Sequence, residues 1–212
     1  EVLKGGEAGL KTLNMEFAEK TSYKRGATDF SSQISKMQAG GCDMIVLGTI
    51  IRETIGAIGT ARKLGYSPLF LSSSAAYTDL IHKLGGKAMD GLYATMTVQN
   101  PYLDEASQPI RFWASKYKTK FNEDPTVFSV YGYTILTSFA TAAGRAGKNL
   151  TTDSFIKVMD SLTIEPDFFG GAVQTFTATK RLGSDASRLS QIQDGKWKTV
   201  SDYFGGTATA KK

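Results

Sequence analysis

The sequence predicts an α/β fold organised around one βαβ unit, and three observations carry that expectation. Met44-Ile45-Val46-Leu47 is an unbroken apolar run, too short for a helix and suited to a strand buried on both faces. Behind it, Ile51, Ile55, Ile58, Ala61 and Leu64 recur at spacings of three and four, the pattern of a helix with one apolar face. Leu69-Phe70-Leu71 then forms a second apolar run, which ends in the small polar loop Ser72-Ser73-Ser74-Ala75-Ala76. Two buried strands joined by a helix make a right-handed crossover. Both strands bring their carboxyl ends, Thr49 to Arg52 and Ser72 to Ala75, to one sheet edge. In open α/β sheets that edge is where ligands bind.

The remaining elements follow in chain order. Residues 1 to about 13 read as a helix already under way at Glu1, with Val2, Leu3, Leu10 and Leu13 apolar and Gly5, Gly6 and Gly9 weakening it. Met15 to Tyr23 alternates imperfectly and is expected to be a strand. Thr28-Asp29 can cap a helix carrying Phe30, Ile34 and Met37, which Gly40-Gly41 stops. After the central unit, Tyr77 to Leu84 reads as a short helix and Gly91 to Val98 as a strand. Asn100-Pro101 breaks the pattern and marks the expected crossing between domains. Ile110, Trp113, Tyr117 and Phe121 then give one helix, Phe128 to Ala146 a longer one, and Thr151-Thr152-Asp153 caps a third. Residues 173–178 alternate as a strand, Leu189 to Val200 reads as a hairpin turning at Asp194-Gly195, and the tail from Gly205 is expected to be loose.

Composition excludes several classes. No apolar run reaches membrane-spanning length. The excess of 25 Lys plus Arg over 20 Asp plus Glu is spread over helix faces such as Lys116, Lys118 and Lys120, or sits in the Lys211-Lys212 tail. That is the charge of a solvated surface, so no nucleic-acid partner is expected. One cysteine, Cys42, allows no internal disulfide, and its place at the start of a strand suits packing. The single histidine, His82, has no local carboxylate or nucleophile beside it and reads as an exposed structural residue. With one His and one Cys, neither a zinc site nor a Cys-His nucleophile assembles. Phosphate-loop, dinucleotide and nucleophile-elbow motifs do not occur. The sequence thus predicts no catalytic residues, no metal and no cofactor. A binding role, needing shape and a few polar groups, fits better.

The segments TSYKRGATDFSSQISKM (21–37), CDMIVLGTIIRETIG (42–56), ARKLGYSPLFLSSSAAY (61–77), GGKAMDGLYAT (85–95) and TVFSVYGYTILTSFATAAGRAG (126–147) occur in an order and spacing that carry a resemblance. Together with the closing stretch 173–200 they resemble the type I periplasmic solute-binding proteins of ABC importers, in the branched-chain amino acid (Leu/Ile/Val) receptor branch. The wording of YKRGATDFSSQ, LGTIIRETIG and SSSAAY is similar to a subgroup associated with aromatic acids such as benzoates and hydroxycinnamates. The resemblance implies a doubly wound, two-lobed α/β fold, present here in part. Residues 1–97 and 188–212 would form the C-terminal lobe, and 98–187 the trailing part of the N-terminal lobe. Roughly the first two-fifths of a full member, its signal peptide included, would be missing. It also implies a periplasmic, non-enzymatic protein that binds a small molecule and hands it to ABC permease subunits. A half-cleft would leave apolar helix surface for self-association.

The ligand residues implied are Thr49, Ile50, Ile51, Arg52, Ser72, Ser73, Ser74 and Ala75, with Phe128 and Tyr131 from the long helix. In amino-acid-binding relatives the loop matching Ser72 to Ala75 carries an acid that pairs with the ligand's ammonium group, and Ser74 occupies that place here. A buried ammonium without a counter-charge costs several kcal/mol. A small carboxylate, an aromatic acid above all, is therefore the expected ligand, with a branched-chain amino acid or amide as the alternative. Arg52 either faces that carboxylate or lies at the surface in the first turn of a helix. Phe128 and Tyr131 either stack on an aromatic ring or pack in the core.

Overall fold

A computed structural model describes residues 2–205 of the chain, so the predicted loose tail, Lys211-Lys212 included, lies outside the described residues except at Gly205. Two compact units emerge: residues 2–96 with 189–201, and residues 97–188 with 202–205.

The first unit is built on a five-stranded sheet in the order β1-β2-β3-β6-β7. Its strands are β1 (Met44–Leu47), β2 (Leu69–Ser72), β3 (Tyr93–Met96), β6 (Arg188–Gln193) and β7 (Lys196–Thr199). β1, β2 and β3 run parallel, with Leu47 beside Ser72 and Leu71 beside Tyr93. β6 and β7 form the predicted antiparallel hairpin. Asp194 and Gly195 both take positive φ, 53° and 71°, the twist that a two-residue hairpin loop needs. Helices α1 (Val2–Thr12), α2 (Ser31–Ala39), α3 (Ile51–Lys63) and α4 (Asp79–Gly85) complete the unit. Ile45, Phe70, Ala94 and Met96 of the sheet, with Ile34, Ile58, Ala61 and Ile81 of the helices, form its buried core. Gly56 lets α3 approach α2 closely, because a Cβ there would stand 2.9 Å from the Phe30 ring.

Several expectations need correcting in this unit. Met15 to Tyr23 forms no strand; only Phe17, Glu19 and Tyr23 of it are even partly covered, Phe17 against Gly6 of α1 and Tyr23 against the Phe30 ring, and the segment is absent from the sheet. β1 is consequently an edge strand rather than one buried on both faces, and Met44 is 45% exposed. The buried stripe of α3 is Thr54, Ala57, Ile58 and Ala61, while Ile51 and Ile55 are only half-buried and Leu64 is exposed. His82 is half-buried rather than exposed, and burial lowers its pKa. Cys42 packs as expected, its Sγ 3.9 Å from Met37 Sδ.

The second unit holds α5 (Gln108–Phe121), α6 (Val127–Ala146) and α7 (Thr152–Met159), with β4 (Thr163–Ile164) and β5 (Gln174–Thr175). α5 ends at Asn122 in the left-handed conformation, before Pro125. Thr126 with Ser129, and Thr151 with Ser154, cap α6 and α7 reciprocally. The strand expected over 173–178 is shorter than its alternation implies. β5 is instead two residues long and pairs antiparallel with β4, which the sequence did not signal because Thr163-Ile164 is too short for a period. Phe169 lies fully buried at the centre of an aromatic cluster with Trp113, Tyr133 and Phe168. One face of α6 remains uncovered: Phe128, Ile135, Leu136 and Phe139 are 57%, 66%, 68% and 54% exposed.

Candidate functional site

The predicted loops of the first unit leave adjacent, in-register strand ends. β1 runs out at Leu47 and β2 at Ser72, residues that are direct partners across the parallel pair. Gly48 to Ile50 then lead into α3, and Ser73 to Ala76 form a tight turn in which the Ser73 hydroxyl accepts the Ala75 N–H at 3.4 Å. The ten predicted ligand residues thus fall into two sets: eight at this edge, and Phe128 and Tyr131 on α6 of the other unit.

Within the edge, burial separates residues that shape the loops from residues that can meet a ligand. Thr49 is buried and its hydroxyl shares a hydrogen bond of 2.6 Å with that of Thr54. Ser72 is buried too, its hydroxyl donating to the Leu47 carbonyl at 3.4 Å. Ile50, Arg52, Ser74 and Ala75 are exposed, and Ile51 and Ser73 half-buried. Arg52 has no ion-pair partner among the described residues.

The edge also contains a carboxylate that the sequence reading passed over. Glu53, in the first turn of α3, is only 2% exposed. Its Oε1 accepts the Gly26 N–H at 3.1 Å, while Oε2 is buried without a hydrogen-bond partner. From sequence, an acid in the first turn of a helix looks like a solvated residue favoured by the dipole. Only the fold shows that residues 23–27 lie over it. Tyr23 fastens the same segment, donating from its hydroxyl to Gly48 O at 3.1 Å. Burial and the Glu53 charge raise the Tyr23 pKa, and the Arg25 charge opposes them.

In the second unit, Phe128 is exposed and Tyr131 half-buried, with ring centroids 6.0 Å apart. Burial raises the Tyr131 pKa. Tyr131 lines a cavity of about 380 Å³ together with Thr134, Ser138, Ile164, Ala172 and Leu182. Thr134 Oγ1 is buried there without a partner. Among the described residues no group of three His, Cys, Asp or Glu could hold a metal ion, and no helix is long and apolar enough to cross a membrane.

A sheet with parallel strands whose loops gather at one edge is a scaffold shared by many proteins, so the assignment rests on comparison. Residues 1–196 match the periplasmic binding protein family. The chain belongs to that family. Its type I fold is also that of solved structures. A branched-chain amino acid ABC transporter protein from Thermus thermophilus, with bound valine, superposes with a TM-score of 0.79 at 16% identity, over 96% of this chain and 56% of that one. A fatty acid ABC transporter substrate-binding protein from Thermomonospora curvata gives 0.80 at 19%, over 99% and 55%. A leucine-binding protein from Thermotoga maritima gives 0.68 at 20%, over 86% and 51%. This periplasmic binding protein chain therefore spans a little over half the length of those structures. No curated protein sequence matches it.

Proposed function

We propose that this periplasmic binding protein is the extracytoplasmic solute-binding component of an ABC importer, holding a small carboxylate and delivering it to the permease. The observation that carries the reading is the edge itself. It presents an exposed, unpaired arginine, Arg52, and Ser74 where an ammonium-binding acid would be needed. Valine, leucine and fatty acids, the molecules in the names of the three structures, each bear a carboxylate. An aromatic acid of the benzoate or hydroxycinnamate type suits two separate features: in the first unit the planar fork of exposed Arg52 suits its carboxylate, and in the second unit exposed Phe128 and half-buried Tyr131 are rings of the kind that stack on an aromatic ligand. The role is binding, not catalysis. The second reading, a branched-chain amino acid receptor, is favoured by two of those three names.

A thermal-shift panel of aromatic acids, aliphatic acids and amino acids on the full-length protein separates them, because stabilisation follows ligand concentration over dissociation constant. Shifts confined to leucine-like amino acids would replace the first reading by the second. Arg52→Ala is expected to weaken a bound carboxylate by roughly 2–4 kcal/mol, the loss typical of a charge pair desolvated on binding. An unchanged dissociation constant would return Arg52 to the surface.

In this reading residues 1–97 and 188–212 constitute the C-terminal lobe and 98–187 the trailing part of the N-terminal lobe. The uncovered α6 face supports it, since burying side chains of that size stabilises by about 1.5–3 kcal/mol each. Without further polypeptide over that face, the 212-residue chain is expected to self-associate through it. Light scattering showing a monomer at all concentrations would contradict this.

A further inference from the structure

Residues 23–27 form a turn that covers Glu53, and its tip is exposed. Ala27 N–H donates to Lys24 O at 2.9 Å, and Gly26 sits at φ +84°, the conformation that the third residue of a type II turn requires. Such a turn directs the Gly26 N–H away from itself, and here Glu53 Oε1 receives it. The Tyr23 hydroxyl makes the second tie, to Gly48 at the carboxyl end of β1. The turn is thereby fixed on both sides to the segment that carries Thr49 to Arg52. At its tip it carries Lys24 and Arg25, both exposed and neither in an ion pair among the described residues. Three unpaired cations, Lys24, Arg25 and Arg52, thus belong to two segments bonded together at one sheet edge.

A surface with no anion to bind gains nothing by holding cations beside one another, because like charges repel. Nor does burying a carboxylate with one free oxygen stabilise by itself; the loss of hydration must be offset by what the carboxylate holds. We infer that the Lys24-Arg25 turn is a second arm of the carboxylate site, with Arg25 contacting the ligand alongside Arg52 and Glu53 acting as the positioning residue that anchors the turn. The inference rests on the proposed carboxylate-binding function. Arg25 is the member of choice because its guanidinium forms paired hydrogen bonds to a carboxylate, whereas Lys24 offers a point charge.

Calorimetric titration of the full-length protein with benzoate, 4-hydroxycinnamate and leucine, each bearing a carboxylate, tests it. With whichever probe binds the wild type, Arg25→Ala is expected to raise Kd by roughly 10- to 100-fold, the range for one lost charged hydrogen bond. Glu53→Ala should raise Kd comparably and speed hydrogen exchange at the Gly26 amide. Glu53→Gln, which keeps an oxygen for that amide, should restore both. A probe that binds wild type and Arg25→Ala equally overturns the second arm while leaving the carboxylate reading intact. Loss of binding in Glu53→Gln, with Gly26 still protected, overturns the positioning role. Failure of all three probes to bind the wild type removes the carboxylate reading and this inference together.

Discussion

Trp197→Ala is expected to destabilise the first unit by about 3–5 kcal/mol, the range for truncating a buried large aromatic. Trp197 projects from β7 and is almost wholly buried, with the Tyr77 ring 5.2 Å away. Its indole Nε1 donates to Thr78 O at 2.8 Å, and Thr78 is the residue that caps α4, its hydroxyl accepting the Leu80 N–H. The substitution removes packing and one partner of a buried carbonyl at a helix start, two losses that add. Trp197→Phe separates them: most of the bulk stays, and the loss should fall to about 1–3 kcal/mol, the cost of leaving one buried polar group unsatisfied. Urea denaturation followed by far-ultraviolet circular dichroism measures both. An alanine variant within 1 kcal/mol of wild type, a cost seen at exposed sites, would show that β7 is dispensable to the core.

Phe169→Ala should cost the second unit a similar amount, about 3–5 kcal/mol. The side chain is fully buried, its ring 5.0 Å from that of Trp113 at 89° and 5.8 Å from that of Tyr133 at 70°. Such edge-to-face pairs contribute about 0.5–1.5 kcal/mol beyond burial. Its backbone is held as firmly, the N–H donating to Asp167 Oδ1 at 2.9 Å and the carbonyl accepting from Gln99 N at 2.9 Å. A cavity there cannot close by a loop shift. Phe169→Leu keeps volume but not the edge contacts and should cost less than half as much. Phe168→Ala, at the exposed margin of the same cluster, is the control, and a loss equal to that of Phe169→Ala would mean the cluster is not centred where the structure puts it.

What the sequence made legible follows from the range of the forces involved. β1, α3 and β2 were placed within a residue or two because apolar runs, helical spacing and Gly65 are local signals. The hairpin was equally plain from Asp194-Gly195, whose backbone preference needs no partner. The strand expected at Met15 to Tyr23 failed for the opposite reason: a strand is decided by what lies beside it, and among the described residues no strand pairs with that segment. Met44 and Leu69, partners across β1 and β2, are apolar yet exposed at the start of both strands, a fact about neighbours that the apolar runs themselves cannot record. At the candidate site the loop residues could be named in advance. Glu53 could not, since its burial depends on a turn 27 residues earlier in the chain. The same applies to Arg25, which is an ordinary surface cation until that turn is tied down.

The protein has two tryptophans, and one falls in each unit: Trp197 in the first and Trp113 in the second. Their surroundings differ, Trp197 being shielded on β7 and Trp113 half-open beside Tyr117. Each unit therefore carries its own fluorophore. A chain with Trp113→Phe emits only from the first unit, and one with Trp197→Phe only from the second, so light from a single indole reports which half of the molecule a solute, a denaturant or a change of temperature has reached.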